Sequence, residues 1–199
     1  RAMVDDGLFE RFACDAIFGM HNRPSLPVGH FAVKSGPMMA AGAFFDIQVT
    51  GKGAHGARPE TGVDAALAAA QIAVSLQSIV ARNVAPVDTA VLSVTQIHAG
   101  DAYNVIPQTS RLGGTVRAFS REVMSLVENS MRRVVEGTAA ALGASAQLDF
   151  RALFAPTVND PEQAAYATMI CAELVGADKV ERDPPLIMAS EDFSFMLEQ

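Results

Sequence analysis

Charge is scarce in this sequence, and positive charge is scarcer still. Only 19% of the 199 residues are charged, and 15 Lys and Arg stand against 22 Asp and Glu, for a formal net charge of −7. No Lys/Arg cluster occurs anywhere along the chain, so there is no electrostatic footprint for a phosphate backbone, and nucleic acid is excluded as an expected partner. Cysteine is nearly absent as well. Cys14 and Cys171 sit far apart in apolar settings, FACDAIF and MICAELV, and read as buried free thiols rather than a disulfide framework, which fits a reducing cytoplasm. No apolar run approaches the ~20 residues that span a bilayer, and no signal-peptide pattern opens the chain, so we expect no membrane partner. What is plentiful is apolar material. Half of the residues are hydrophobic, the composition of a globular chain with a core.

The distribution of that material suggests two interleaved parts. Ala16 to Met20 is a short apolar run ending at His21-Asn22-Arg23-Pro24, which reads as a buried strand delivering a polar cluster at its C-terminal end, where open α/β sheets bind ligands. Prolines and glycines interrupt the pattern from Pro24 to Met39, marking a connection and a boundary near Ala40. Phe45 to Thr50 then alternates apolar and polar with period two, as a strand with one buried face does. Asp64 to Arg82 repeats Ala65, Leu67, Ala68, Ile72, Leu76 and Ile79 at helical spacing, and Thr61 to Asp64 has capping-box spacing. Val91 to Ile97 and Arg111 to Phe119 predict two more strands. Ser120 caps a second helix, with a stripe through Val123, Leu126, Val127, Met131, Val134, Val135 and Leu142, and Gly143 closes it. Ala146 to Phe150 predicts the last strand. The order is β-α-β-β-α-β, the ferredoxin-like arrangement, from about Ala41 to Arg151. Asp160-Pro161 opens a further helix towards Leu174. The simplest organisation is an insertion: residues 1–40 and 152–199 form one α/β domain, split by residues 41–151. The chain opens on the helix-like RAMVDDGLFE and stops at SFMLEQ within another helix-like stretch, so we expect a partial chain.

Several positions have side chains suited to chemistry. His21, at its expected strand end, has an imidazole that can bind a borderline metal, although a lone histidine there is more often hydrogen-bonded within its loop. Metal sites need three or four ligands, and no nearby Cys, His, Asp or Glu group supplies them. The loop Gly51-Lys52-Gly53-Ala54-His55-Gly56-Ala57-Arg58-Pro59-Glu60 sets three glycines around His55, allowing positive φ and close backbone approach; the alternative is an ordinary turn with an exposed histidine. Its glycine spacing fits neither phosphate-binding fingerprint. Asn104-Val105-Ile106-Pro107 reads as a turn with an Asx role. Arg117, among small and apolar strand neighbours, calls for a carboxylate or phosphate partner, most simply a structural salt bridge. Glu191 and Asp192 pair two carboxylates at an expected helix start, where the helix dipole favours them. His30 and His98 read as structural.

Taken together and in order, Gly19-Met20-His21-Asn22, Gly51 to Pro59, Asn104-Val105-Ile106-Pro107, Gly114-Thr115-Val116-Arg117 and Ser190 to Ser194 resemble the M20 metallopeptidase family, most of all its aminoacylase and hippurate hydrolase branch. The resemblance covers nearly the whole chain. It implies a zinc-peptidase-like α/β catalytic domain, incomplete here, interrupted by a ferredoxin-like lid that dimerises. It also implies two divalent metal ions, zinc or manganese, and hydrolysis of an amide bond in N-acyl amino acids. On matching positions, His21 would be a metal ligand. His55 would reach into the partner subunit's site and stabilise the oxyanion formed when hydroxide attacks the amide carbonyl. Asn104 and Arg117 would hold the substrate's carboxylate or carbonyl end, and the Glu191-Asp192 segment would line the site's edge.

The departures from the family pattern carry their own expectation. The family's Cys-x-His or Asp-containing ligand segment, its paired glutamates and its last ligating histidine have no counterpart in these residues, and no histidine follows Cys14 at the right spacing. Expressed alone, then, the chain should bind metal weakly and leave amides intact, while the full-length protein should hydrolyse them. Zinc stoichiometry measured beside sedimentation mass tests this: well below two ions per 199-residue chain is expected, and two tightly held ions would contradict it.

Overall fold

The computed structural model describes residues 1–199, which fall into two compact units: Arg1–Ala41 with Phe154–Gln199, and Gly42–Leu153. In chain order the elements are α1 (Ala2–Asp5), α2 (Leu8–Arg11), β1 (Phe31–Ala32), β2 (Gly36–Met39), β3 (Ala41–Thr50), β4 (Ala54–His55), α3 (Ala65–Arg82), β5 (Ala90–Ala99) and β6 (Val105–Ile106). There follow β7 (Thr109–Ala118), α4 (Arg121–Ala141), β8 (Ser145–Phe154), β9 (Thr157–Asn159), α5 (Pro161–Val175), β10 (Val180–Glu181) and α6 (Ser194–Leu197).

The second unit is built on a four-stranded sheet in the order β5-β7-β3-β8. β5 and β7 run antiparallel from Ala90 opposite Ala118 to Ala99 opposite Ser110, with an irregularity between Val94 and Gln96. Period two is evident on β3: Ala43, Phe45, Ile47 and Val49 are buried, while Phe44, Gln48 and Thr50 are exposed. The strand starts at Ala41, earlier than the alternation from Phe45 suggested, because Ala41 to Ala43 are small and buried whichever way they point. At Gly114 the packing leaves no room for a side chain: a Cβ there would lie 2.1 Å from the Ser93 carbonyl oxygen and 2.5 Å from the Phe45 ring.

The helix α3 buries Ala65, Ala68, Ala69, Ile72, Leu76 and Ile79, and it packs on α4, β5 and β7. Leu67 departs from the expected stripe and is 57% exposed, since two residues beyond Ala65 is roughly half a turn away at 3.6 residues per turn. The cap also differs from expectation. Asp64, not Thr61, is the N-cap, its Oδ1 accepting from the Leu67 N–H at 2.9 Å, whereas the Thr61 hydroxyl donates to the Arg58 carbonyl. By length and composition alone α3 would suffice to cross a membrane, contrary to the reading of apolar runs; one face of it, from Ala65 to Ile79, is buried in the unit, while Leu67 and Val74 are exposed. On α4, Ser120 caps as expected, accepting from the Val123 N–H at 3.1 Å. Met124, Val127, Met131, Val135 and Ala139 form its buried face, while Leu126 and Leu142 lie outside it.

Across three neighbouring strands, Asp46 on β3 accepts from Arg111 Nε on β7 at 2.9 Å and from Arg151 Nη2 on β8 at 2.6 Å. Hydrogen bonds from Arg151 and Arg111 hold the Asp46 carboxyl below the usual carboxylate range, against a smaller opposing push from burial.

In the first unit, β1 pairs in parallel with β10, and β2 pairs antiparallel with β9 across an irregularity between Pro37 and Met39. Asp160 caps α5, accepting from the N–H groups of Glu162 and Gln163 at 2.9 and 3.0 Å, with Pro161 at the first helical position. Two sequence expectations fail here. Residues 16–20 form no strand and are exposed but for half-buried Ile17, because no other strand offers them a ladder of hydrogen bonds. Cys14, in the irregular stretch before them, is an exposed rather than a buried thiol; Cys171 is half-buried, and burial pushes its thiol up.

The Asp46 network makes stability depend on pH with a definite sign. A carboxyl lowered by folding contributes fully above its unfolded value, near 3.8, and that contribution is lost as pH falls through the folded value. Asp46→Asn should cost on the order of 1 kcal/mol at neutral pH, or about 2–4 °C in Tm. In thermal melts the gap between native and variant should close on acidification; a gap independent of pH would contradict the assignment.

Candidate functional site

His55 sits on β4, which pairs antiparallel with β6 so that Ala54 lies opposite Ile106 and His55 opposite Val105. The ribbon continues one step, the Gly56 N–H donating to the Asn104 carbonyl at 2.8 Å. Asn104 thereby lies one position beyond the residue opposite His55. It is the Asn104 carbonyl, not the expected Asx side chain, that closes this contact. At its base the loop is tied twice, Lys52 N–H to Val63 carbonyl and Val63 N–H to Lys52 carbonyl, both at 2.9 Å.

The glycines serve one of the two uses expected of them. None of Gly51, Gly53 and Gly56 has positive φ. Close approach is what they provide: a Cβ at Gly51 would lie 2.2 Å from the Val63 carbonyl oxygen, and one at Gly56 would lie 3.2 Å from the Asn104 carbonyl oxygen. Gly62, which the sequence reading passed over, is as constrained, with its Cβ position 2.6 Å from the Ala54 Cβ and 2.7 Å from the Lys52 carbonyl oxygen. Its signal in the sequence was only a glycine between the loop and the capped helix.

The exposed His55 ring has one nitrogen committed. Nδ1 accepts from the Ala57 N–H at 3.1 Å, so a neutral ring carries its proton on Nε2 and presents a donor there. Arg117 lies on β7 opposite Val91, in the main sheet rather than on the ribbon. Its Nη1 donates to the carbonyls of Val116 at 2.9 Å and Ala43 at 3.4 Å and to the Thr115 hydroxyl, and its guanidinium lies over the Phe44 ring. None of these partners is anionic, so the structural salt bridge expected for Arg117 is replaced by carbonyls and a ring face.

In the first unit, His21 Nδ1 meets Glu191 Oε2 at 2.7 Å. Partial burial pushes the Glu191 carboxyl up, but hydrogen bonds involving Asp192, His21 and the backbone of Phe193 and Asp192 outweigh it and leave it below the usual carboxylate range. An ionised carboxylate only accepts, so a neutral His21 ring facing it carries its proton on Nδ1 and leaves the Nε2 lone pair open. Glu191 thus answers to His21 rather than to a helix dipole; α6, which follows, is only four residues long. Sequence reading missed the contact because nothing local links residues 170 positions apart. His30 Nδ1 approaches only the Val28 carbonyl, at 3.4 Å, and His98 lies on β5 opposite Arg111. No group of three or more His, Cys, Asp or Glu side chains converges to hold a metal ion. His21 fits such an ion as one corner of a ligand set.

Comparison with known proteins agrees over the whole chain. The model of peptidase family M20/M25/M40 matches residues 1–199. The chain is 38% identical over 198 residues to the hippurate hydrolase of Campylobacter jejuni, covering 100% of this chain and 52% of that protein. It is 41% identical over 186 residues to an N-acetylcysteine deacetylase of Bacillus subtilis, covering 92% and 48%. Among solved structures, a dinuclear metal-binding M20 peptidase of Bacillus subtilis superposes with a TM-score of 0.78 at 34% identity, over 98% of this chain and 48% of that one. An aminohydrolase, described as putative, from methicillin-resistant Staphylococcus aureus gives 0.86 at 26% identity, over 98% and 50%. The chain spans about half the length of the curated relatives it matches. The mixed α/β fold resembles that of the M20 peptidase structures.

The close approach at Gly62 yields a prediction for the ribbon. Gly62→Ala should force Lys52 and Ala54 away and speed hydrogen exchange at the amides of Lys52, Gly56 and Val63. Gly137→Ala, in α4 with nothing within 4 Å of its Cβ position, should instead add about 0.5–1 kcal/mol. Unchanged exchange in Gly62→Ala would show that the ribbon does not need the glycine.

Proposed function

The chain belongs to peptidase family M20/M25/M40, and on that footing we propose that the full-length protein hydrolyses the amide bond of N-acyl amino acids in a metal-dependent reaction. One observation carries the mechanistic reading: the Ala57 N–H occupies His55 Nδ1, which leaves Nε2–H as a donor on an exposed, glycine-tied ribbon. A donor held in place before reaction is what stabilises the oxygen of a tetrahedral adduct, where negative charge develops as the carbonyl is attacked.

The other residues have roles consistent with their surroundings. His21 would hold one of two divalent ions, zinc or manganese, through Nε2; the description of the Bacillus subtilis structure as a dinuclear metal-binding peptidase supports two. When bound, such ions polarise a carbonyl and lower the pKa of water. Arg117, half-buried with only neutral acceptors, retains a charge for the substrate's carboxylate, and Asn104, one position beyond the residue opposite His55, would hold its carbonyl end. The relatives named as a hippurate hydrolase and an N-acetylcysteine deacetylase support the substrate class.

We read residues 41–151 as a ferredoxin-like lid inserted in a catalytic domain formed by residues 1–40 and 152–199. The β-α-β-β-α-β succession and the sheet order β5-β7-β3-β8 support that reading. The lid would also dimerise the protein. In favour are β5, an uncharged edge strand, and the exposed Leu67 and Val74 on α3. Two free cysteines fit a cytoplasmic setting. For the 199 residues by themselves a second reading holds, a dimerisation or binding module without catalysis, favoured by the absence of any converged ligand set.

His55→Ala in the full-length enzyme should lower kcat by about 10²–10³ with little change in folding; an unchanged kcat would remove the assigned role. Mixing His55→Ala subunits with His21→Ala subunits tests whether His55 acts across the dimer. Heterodimers should recover one working site, and no recovery would show that each site is self-contained.

A further inference from the structure

An imidazole offers a metal only the nitrogen whose lone pair is free, and a free ring divides its proton between the two. What fixes the proton on one nitrogen therefore fixes which nitrogen can ligate, and how the ring is turned. At His21 that partner is Glu191, with Oε2 2.7 Å from Nδ1, a length typical of charge-assisted bonds.

The carboxylate is itself held. Glu191 Oε1 accepts from the Asp192 N–H at 2.9 Å, and the Glu191 carbonyl accepts from the hydroxyl of Ser194, a fully buried residue, at 2.8 Å. A second contact fixes the two segments side by side. The Gly19 Cβ position lies 3.1 Å from the Phe193 ring, so a side chain at 19 would press on that ring and displace it by a few tenths of an ångström. Residues 19 and 21 thus face 193 and 191, a two-residue step on each side. Exposure divides in the same sense, with the His21 side chain 54% exposed and that of Glu191 only 25%. An incidental surface ion pair, worth about 0–1 kcal/mol, requires neither the anchored carboxylate nor the glycine contact.

We propose that Glu191 is the positioning residue of His21, holding the proton on Nδ1 and the ring in the orientation that directs the Nε2 lone pair to a metal ion. The inference rests on the reading of His21 as a ligand and adds a residue to it. Carboxylates behind ligating histidines typically account for about 10–100-fold in metal affinity.

The test uses the full-length protein and zinc alone, titrated in competition with a chromophoric chelator, beside the Tm of each metal-free variant. His21→Ala identifies the binding step to which His21 contributes. Glu191→Ala should weaken that step by about 10–100-fold, and Glu191→Gln, which keeps a carbonyl to accept from Nδ1–H, should weaken it less. Metal-free Tm values should stay close to that of the native protein. If His21→Ala weakens zinc while Glu191→Ala binds it as the native protein does, the positioning role is overturned and the ligand stands. A Glu191→Ala loss matched by a fall in metal-free Tm would overturn it too, as a folding effect. If His21→Ala leaves zinc binding intact, the ligand reading itself fails.

Discussion

One nitrogen of each of two imidazoles is already committed within this chain, and the two commitments are opposite. At His21 the partner is a carboxylate that accepts, so in the neutral ring Nδ1 holds the proton and Nε2 keeps its lone pair. At His55 the partner is a backbone N–H that can only donate, so Nδ1 gives up its lone pair and Nε2 keeps the proton. The same side chain is thereby set up as a ligand in one unit and as a hydrogen-bond donor in the other. A cation and an oxyanion require these two forms respectively, and interchanging them would spoil both.

Much of the surrounding architecture can be understood as holding those partners still. Around His55, close backbone approach at Gly51, Gly56 and Gly62 allows the ribbon to fold back on itself, and paired bonds between Lys52 and Val63 close it. In the same unit, the buried face of α3 lies against β5 and β7. Around His21, the equivalents are Gly19 against Phe193 and the turn from Glu191 to Ser194. In both places glycine serves by the space it leaves rather than by an unusual backbone angle.

What the sequence revealed follows the range of the forces involved. Period two on β3, the Asp160-Pro161 start of α5 and the Ser120 cap are local, and each was legible without the fold. His21, His55, Asn104 and Arg117 could be singled out from their neighbours, but not their partners. The Glu191 contact with His21 and the Gly62 contact with Ala54 depend on tertiary placement. Local patterning also misled where burial decides. Ala16 to Met20 has the composition of a core strand, yet it lacks a ladder partner and lies exposed; Leu67 fits a helical repeat and faces outward. Thr61 has the spacing of a cap, but Asp64 reaches the Leu67 N–H first.

The most direct measurement is to locate the two protons. Neutron diffraction from the metal-free, full-length protein at neutral pH should find deuterium on Nδ1 of His21, directed at Glu191, and on Nε2 of His55, with His55 Nδ1 bare beneath the Ala57 N–D. Deuterium on His55 Nδ1, or a bare Nδ1 at His21, would contradict the account, because the first ring could not then donate and the second could not ligate from the nitrogens assigned to them.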